Sequence, residues 1–365
     1  MYRASAELEI FWGTFDIVPI VNEPLRIGVT GLGRAGWDFH CKTLATHPDF
    51  KLVAVADSEE SRRWEASMAL GCEGYPSHDI MIQEAQLDAV VVASPTHLHR
   101  AMAVRALEAG LHVMVEKPMA PDATEARAIV AAAEAADRVV TVHQAHRLAA
   151  YFQQARHIVS SGQLGVIYHA RRGWYDYARR DDWQAMRQYG GGMLLNYGAH
   201  FLDQLLAITG GPVNRVFCQL RRVAGLGDAE DVVKVVYETE AGSTGEVDIN
   251  FASALNPYEL ELFGTHGTLS LRDGIFTVRW FEQGDLPPKE LNPSLASPGR
   301  LYPSEDIPFK TQQIPVNMKQ GKDVFEDFAR AIRTDGVPYI TSAQTLRVMD
   351  LIDRCRFDAG EILRT

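Results

Sequence analysis

Glu116-Lys117-Pro118 closes the short apolar run His112–Val115. A lysine at the C-terminal end of a strand, pinned by a following proline, points into the crevice that strand ends line. Desolvated there, its ammonium shifts towards neutrality and can exchange a proton with a hydroxyl. On position alone, a surface lysine at the start of a loop reads equally well. A second stretch runs from Gly190-Gly191-Gly192 through Asn196 and His200 to Asp203. Asn196 and His200 are four apart and share one helix face, while Met193, Leu194, Leu195, Phe201 and Leu202 make the remainder apolar. A lone histidine on such a helix is commonly a satisfied core residue. The polar partner one turn earlier and the glycine-rich entry favour a site.

Gly31-Leu32-Gly33-Arg34-Ala35-Gly36 is G-x-G-x-x-G, a pattern that gains meaning only from its surroundings. Here it follows an expected strand and opens an expected helix. Gly31 can make the tight turn, Gly33 lets the backbone approach a pyrophosphate, and Gly36 lets the helix pack on the strand. Arg34 and Ala35 then sit at a helix N-terminus whose N–H groups suit phosphates. Asp57 ends the next strand and can accept both ribose hydroxyl protons while repelling a 2′-phosphate. No Arg occurs in Ser58-Glu59-Glu60, so NAD is expected in preference to NADP. Ser94, Thr96, His97 and His99 lie in the loop after the third long apolar run and are expected beside the cofactor, with Glu116 and Lys117. Thr96 also suits a helix cap, and the two histidines read as cofactor-adjacent or structural rather than catalytic.

These residues need a scaffold. Leu25–Thr30, Lys51–Ala56, Ala89–Ala93, His112–Val115 and Val139–Val142 are apolar runs separated by helical patterns, as in a buried parallel sheet. From about residue 150 the pattern changes. Phe152–Ser160 reads as a helix, Val166–Tyr177 as a long strand and Met193–Ile208 as a helix. Alternating runs follow at Val213–Val223, Val232–Glu238, Thr244–Phe251, Glu259–Phe263, Thr268–Leu271 and Phe276–Trp280, an antiparallel sheet. Pro287–Pro315, with seven of the 17 prolines, reads as a long surface loop, and helices over Lys319–Ile332 and Ser342–Ala359 finish the chain. The fold class is α/β: a Rossmann-type doubly wound sheet over residues 23–147, preceded by an arm over residues 1–22. An α+β domain with a large open, mainly antiparallel sheet spans 148–365.

Composition narrows the function classes. At 365 residues, two domains are expected. Thirty-six Lys plus Arg against 47 Asp plus Glu leave −11 with no basic run, which argues against a nucleic-acid partner. Cys41, Cys72, Cys218 and Cys355 lie far apart with no C-x-x-C, so neither a zinc ribbon nor a disulfide framework is expected, and no metal site is assigned. No apolar stretch is long enough to span a membrane, and a cytoplasmic protein is expected.

Strand–GLGRAG–helix, Asp57, SPTHLH, EKP and a later GGG…N-x-x-x-H helix, in that order, resemble the glucose-fructose oxidoreductase / inositol dehydrogenase (Gfo/Idh/MocA) family of NAD(P)-dependent oxidoreductases. The resemblance runs from about Leu25 over nearly the whole chain. It implies a Rossmann domain, a second domain whose open sheet packs against another subunit as a homodimer or homotetramer, and hydride transfer at a secondary alcohol of a sugar, glycoside or cyclitol. Carried over, Lys117 and His200 match the proton-transfer residues. The family's Asp is Asn196 here, an amide that orients substrate without titrating. A second departure is Ala145, where the family often has Asn two residues before an Arg, here Arg147. Gln144, Tyr175 and Trp183 join Asn196 as expected substrate contacts. Aromatics beside paired polar groups suit pyranoses, although Arg179–Asp182 also reads as a uronate or phosphate site or as a self-neutralising loop. A redox-neutral hydrolase or lyase with bound NAD and a non-catalytic NAD-binding regulator are the competing readings.

Overall fold

The computed structural model describes residues 23–293 and 305–364, so the arm expected over residues 1–22 lies outside the described residues. The first sheet is built from β1 (Leu25–Thr30), β2 (Phe50–Ala56), β3 (Glu73–Tyr75), β4 (Ala89–Val92), β5 (His112–Glu116) and β6 (Val140–His143). All pairings are parallel, in the order β3-β2-β1-β4-β5-β6. Every residue of β4 is buried, as expected of a strand covered on both faces. Strand order reverses between β1 and β4, and a crevice opens outside the strand ends at such a switch point. Glycine-rich turn, SPTHLH loop and Lys117 all leave the sheet at that edge.

The second sheet contains β7 (Ile167–Tyr175), β8 (Val213–Arg222), β9 (Val232–Thr239), β10 (Thr244–Asn250), β11 (Leu260–Gly264), β12 (Gly267–Arg272), β13 (Ile275–Trp280), β14 (Lys310–Pro315) and β15 (Leu363–Arg364). The order is β14-β13-β12-β11-β7-β10-β9-β8-β15, antiparallel except for the β7–β10 and β8–β15 pairs. Period-two alternation divides its faces. Val233, Val235, Tyr237, Val247 and Ile249 pack beneath the helices Ala199–Thr209 and Ser342–Ala359. On the other face, Lys234 Nζ bridges Glu246 Oε1 (2.5 Å) and Asp248 Oδ2 (3.0 Å).

The structure departs from the sequence expectations in four places. The end of the proline-rich segment is not loop but β14, which pairs with β13 through Lys310–Pro315 at the sheet edge, where proline is tolerated. β3 and β15 were not anticipated, being too short to show a pattern. The helix expected from Lys319 begins at Val324, because Asp323 caps it by accepting from the N–H of Phe325 (2.8 Å) and Glu326 (3.4 Å). That helix also returns to the first sheet: Phe325, Phe328 and Ala329 join the core of Leu44, Phe50 and Leu52, although sequence order assigned it to the second domain.

A buried ion pair locks the crossing between the two sheets. Arg147 donates from Nε to Asp203 Oδ2 (2.7 Å) and from Nη2 to Asp203 Oδ1 (2.5 Å). Asp203→Ala strands that guanidinium in the core, and a loss of about 3–5 kcal/mol is expected. The urea midpoint of the variant measures it, and an unchanged midpoint would refute the locking role.

Candidate active site

The glycine-rich turn is built as its pattern requires. Gly31 has φ +88°, and a Cβ on Gly36 would lie 1.7 Å from the Gly31 carbonyl oxygen. Nothing lies within 4 Å of the Cβ position of Gly33, so its backbone is open to a ligand. The helix that follows opens with a π-helical segment, Ala35–Cys41, before the short turn Lys42–Leu44. Asp57 fastens the turn: Oδ2 accepts from Leu32 N–H (2.7 Å) and Oδ1 from Glu59 N–H (2.9 Å). A carboxylate offers about four acceptor sites, leaving about two for vicinal hydroxyls. Gly31, Gly33, Arg34, Ala35 and Asp57 line one end of a cleft of about 400 Å³, so the residues present fit a dinucleotide.

Ser94, Thr96, His99, Glu116 and Lys117 continue the cleft wall, and Trp183 and Asn196 line its other side. His99 is structural, its ring nitrogens facing the carbonyls of Ser94 (2.8 Å) and Pro118 (3.0 Å). The Glu116 carboxylate is also occupied. Its Oε1 accepts from His40 Nε2 (2.8 Å) and His143 Nδ1 (2.7 Å), and its Oε2 from the backbone N–H of Lys117 (3.1 Å). Burial opposes its ionisation, but the two imidazoles outweigh this and hold the carboxyl well below its usual range. No metal site is expected from the sequence; the ligand-type atoms of these three side chains lie within 4.8 Å of one another, and each imidazole is engaged in a hydrogen bond to Glu116 Oε1.

Lys117 Nζ reaches out of this wall and donates to Asn196 Oδ1 (2.6 Å), with the Asn196 backbone oxygen at 3.4 Å. Asn196 Nδ2 donates in turn to Gln184 Oε1 (3.2 Å). Burial lowers the Lys117 pKa, Glu116 opposes this, and Arg34 and Arg180 push it further down. The helix carrying Asn196 also begins with a π-helical segment, Leu194–Gly198, rather than as the continuous α-helix expected. Such segments recur where a helix must aim side chains at a site.

Four expected site residues do not line the cleft. His200 is buried to 6 % exposure behind Asn196, and Gln144 is buried beside it. Gln144 Oε1 accepts from His200 Nδ1 (2.6 Å), so Nε2 is the basic ring nitrogen. The His200 pKa lies well below its usual value, by burial first and then by neighbouring His146 and Lys117. His97 is exposed, meets the Tyr189 ring at 5.5 Å and lines a separate depression with Gly190 and Gly191. Tyr175 is a correction. On β7, Arg172 lies over Phe201 (4.3 Å) and Trp174 stacks on Tyr197 (5.2 Å), both towards the helices. Strand alternation then sends Tyr175 to the opposite face, against Tyr258 (5.5 Å).

Gln184 and Arg62 carry no signal in the sequence, yet both line the cleft, and Arg62 Nη1 lies 3.5 Å from Asp57 Oδ2. Arg180, from the Arg179–Asp182 stretch that the sequence singles out, lines it too. Arg62 sits in the first turn of the helix Glu60–Leu70, two residues beyond the Ser58-Glu59-Glu60 stretch on which the cofactor expectation rests. His146 stacks on His200 with ring centroids 4.1 Å apart; burial first, then Arg172 and Lys117, bring its pKa down to about 4. Arg180 is neutralised by Asp182, with Nε donating to Oδ1 (3.1 Å) and Nη2 to Oδ2.

Residues 25–144 match the model of the oxidoreductase family with NAD-binding Rossmann fold, and residues 152–270 match the GFO/IDH/MocA C-terminal domain. D-glucoside 3-dehydrogenase of Escherichia coli K12 is 30% identical over 256 residues, 67% of each chain. Myo-inositol 2-dehydrogenase of Thermotoga maritima is 28% identical over 256 residues, 67% of this chain and 74% of its own. Other curated relatives are matched over about half their length, at 56% and 53%. An NAD-binding protein from Listeria innocua superimposes with a TM-score of 0.78 at 22% identity, covering 92% of this chain and 95% of that one, a likeness of fold. No helix among the described residues is long and apolar enough to cross a membrane. With both domain models matched in order across two thirds of its length, the chain belongs to the Gfo/Idh/MocA family of NAD(P)-binding oxidoreductases.

Proposed function

We propose that this chain is an NAD-dependent dehydrogenase moving a hydride between nicotinamide and a secondary alcohol or ketone of an uncharged sugar, glycoside or cyclitol. The observation that carries this is Lys117 Nζ, held by an amide oxygen at 2.6 Å in the cleft that the glycine-rich turn and Asp57 also line. Bound NAD supplies the hydride acceptor. Lys117, driven towards its neutral form by burial, takes the hydroxyl proton as the substrate carbon is oxidised. His200 does not line the cleft and acts behind Lys117, its Nδ1 held by Gln144 Oε1, so its removal should cost less turnover than that of Lys117.

The neutral character of the substrate follows from Arg180. Its fork is already filled by Asp182, so a uronate or phosphate gains little there, whereas Trp183, Gln184 and Asn196 offer an apolar face and amide groups to a hydroxylated ring. Asp57 favours NAD over NADP. Denaturing the purified protein and assaying released NAD, then following 340 nm with NAD and a panel of sugars, glycosides, cyclitols and uronates, tests the reading. Growth at 340 nm with one neutral class is expected. Co-purified cofactor without net signal would favour a redox-neutral enzyme. Binding without any turnover would favour a regulator.

We further expect a homodimer or homotetramer through the open sheet face that carries Lys234, Tyr175 and Tyr258. Light scattering should return at least twice the 40.5 kDa chain mass, and a monomer at micromolar concentration would overturn this.

A further inference from the structure

We propose that Gln184 is a positioning residue: by accepting the Asn196 amide N–H it turns Asn196 Oδ1 onto Lys117, so that a neutral acceptor holds the lysine and its lone pair is left for the substrate. This deepens the dehydrogenase reading and rests on Lys117 as the proton-transfer group.

An asparagine can present either its oxygen or its NH₂ to a neighbour. Here the contacts select one arrangement. Nδ2 is spent on Gln184 Oε1 (3.2 Å), and Oδ1 receives Lys117 Nζ (2.6 Å). The reverse arrangement would set N–H donors against the lysine, repelling its protonated form and occupying the lone pair of its neutral form. Gln184 is itself well anchored through its backbone, which donates to Asp182 Oδ1 (3.2 Å) and accepts from Gly192 N–H (2.9 Å). One short segment therefore ties together the Arg180–Asp182 pair, the glycine-rich entry and the lysine's partner.

The charge balance around Lys117 gives this contact its consequence. Arg34 faces it from the glycine-rich turn and Arg180 from the segment after β7, both cationic. His146, from the short helix Ala145–Leu148, and His200, from the helix Ala199–Thr209, also face it, and burial keeps both largely neutral. Glu116, the carboxylate whose charge acts on Lys117, is engaged by His40, His143 and the Lys117 backbone, and Asp182 in the same cleft is paired with Arg180. Among the described residues, no carboxylate forms an ion pair with Lys117. An amide oxygen therefore stands where a carboxylate would raise proton affinity, and Lys117 is kept as a base that works below the usual lysine range.

Competitive acetylation tests this without substrate or cofactor. The purified protein is labelled with trace acetic anhydride across a pH series, and the Lys117 peptide is quantified by mass spectrometry. Wild-type Lys117 should gain reactivity at lower pH than the exposed lysines. Asn196→Asp should raise its proton affinity tenfold or more. Gln184→Met, which frees the amide to turn its NH₂ on Lys117, should lower it several-fold. Gln184→Glu accepts in either rotamer and should restore at least the wild-type value. A wild-type titration in Gln184→Met, or an unchanged one in Asn196→Asp, would overturn the proposal. If Gln184→Met does not fold, as judged by circular dichroism, Asn196→Asp and Gln184→Glu decide it, the latter being required to match or exceed wild type. Failure here leaves the 340 nm panel free to support a dehydrogenase, so the two readings fail separately.

Discussion

Lys117→Ala is expected to lower turnover by about 10²–10⁴-fold while leaving NAD affinity within a few-fold. Among the described residues the side chain is the only lysine ammonium lining the cleft, and it meets Asn196 rather than the glycine-rich turn or Asp57. Its loss removes a proton acceptor without touching the phosphate cradle. The pH dependence carries a sign. Oxidation needs the neutral amine, so its rate should fall as pH drops through the lowered Lys117 pKa and be full above it. Reduction needs the ammonium and should show the mirror limb. Steady-state rates over a pH series, with NAD affinity from fluorescence titration, check both points. Unchanged turnover would return Lys117 to a structural role.

Asp57→Ala should weaken NAD by about 10–100-fold, the worth of one or two charge-assisted hydrogen bonds to ribose hydroxyls. Part of that loss is indirect, because Asp57 also receives the N–H groups of Leu32 and Glu59 and so holds the glycine-rich turn. Loosening the turn penalises both cofactors alike, so the informative quantity is the ratio. NADP should lose far less than NAD, because the mutation removes a charge that repels its 2′-phosphate. It also releases Arg62, which lies 3.5 Å from Asp57 and would then be free to meet that phosphate. Arg62→Ala added to Asp57→Ala should take the NADP gain away again. Equal losses for NAD and NADP on removing Asp57 would take it out of the ribose site.

Much of the scaffold was legible in the sequence because its signals are local. Runs such as Ala89–Val92 are buried on both faces and read as continuous apolar strands, whereas β9 and β10 alternate because only one face is covered. The helix expected roughly over Ser342–Ala359 spans those residues, and in the structure Thr341 and Gln344 close its start with a capping box. Short strands escaped because three residues cannot establish a period.

For the site, the sequence by itself determined the glycine-rich turn, Asp57 at a strand end, Lys117 after an apolar run and Asn196 in a glycine-led helix, each set by neighbours within a few positions. Only the tertiary structure decided which of them meet. It placed Gln184 against Asn196, Arg62 against Asp57, and Glu116 between His40 and His143, which come from three different elements. It also turned Tyr175 away, because facing on a strand depends on which side the helices cover. Contacts between residues distant in sequence are chosen by packing and by satisfying buried polar groups, and neither leaves a pattern along the chain.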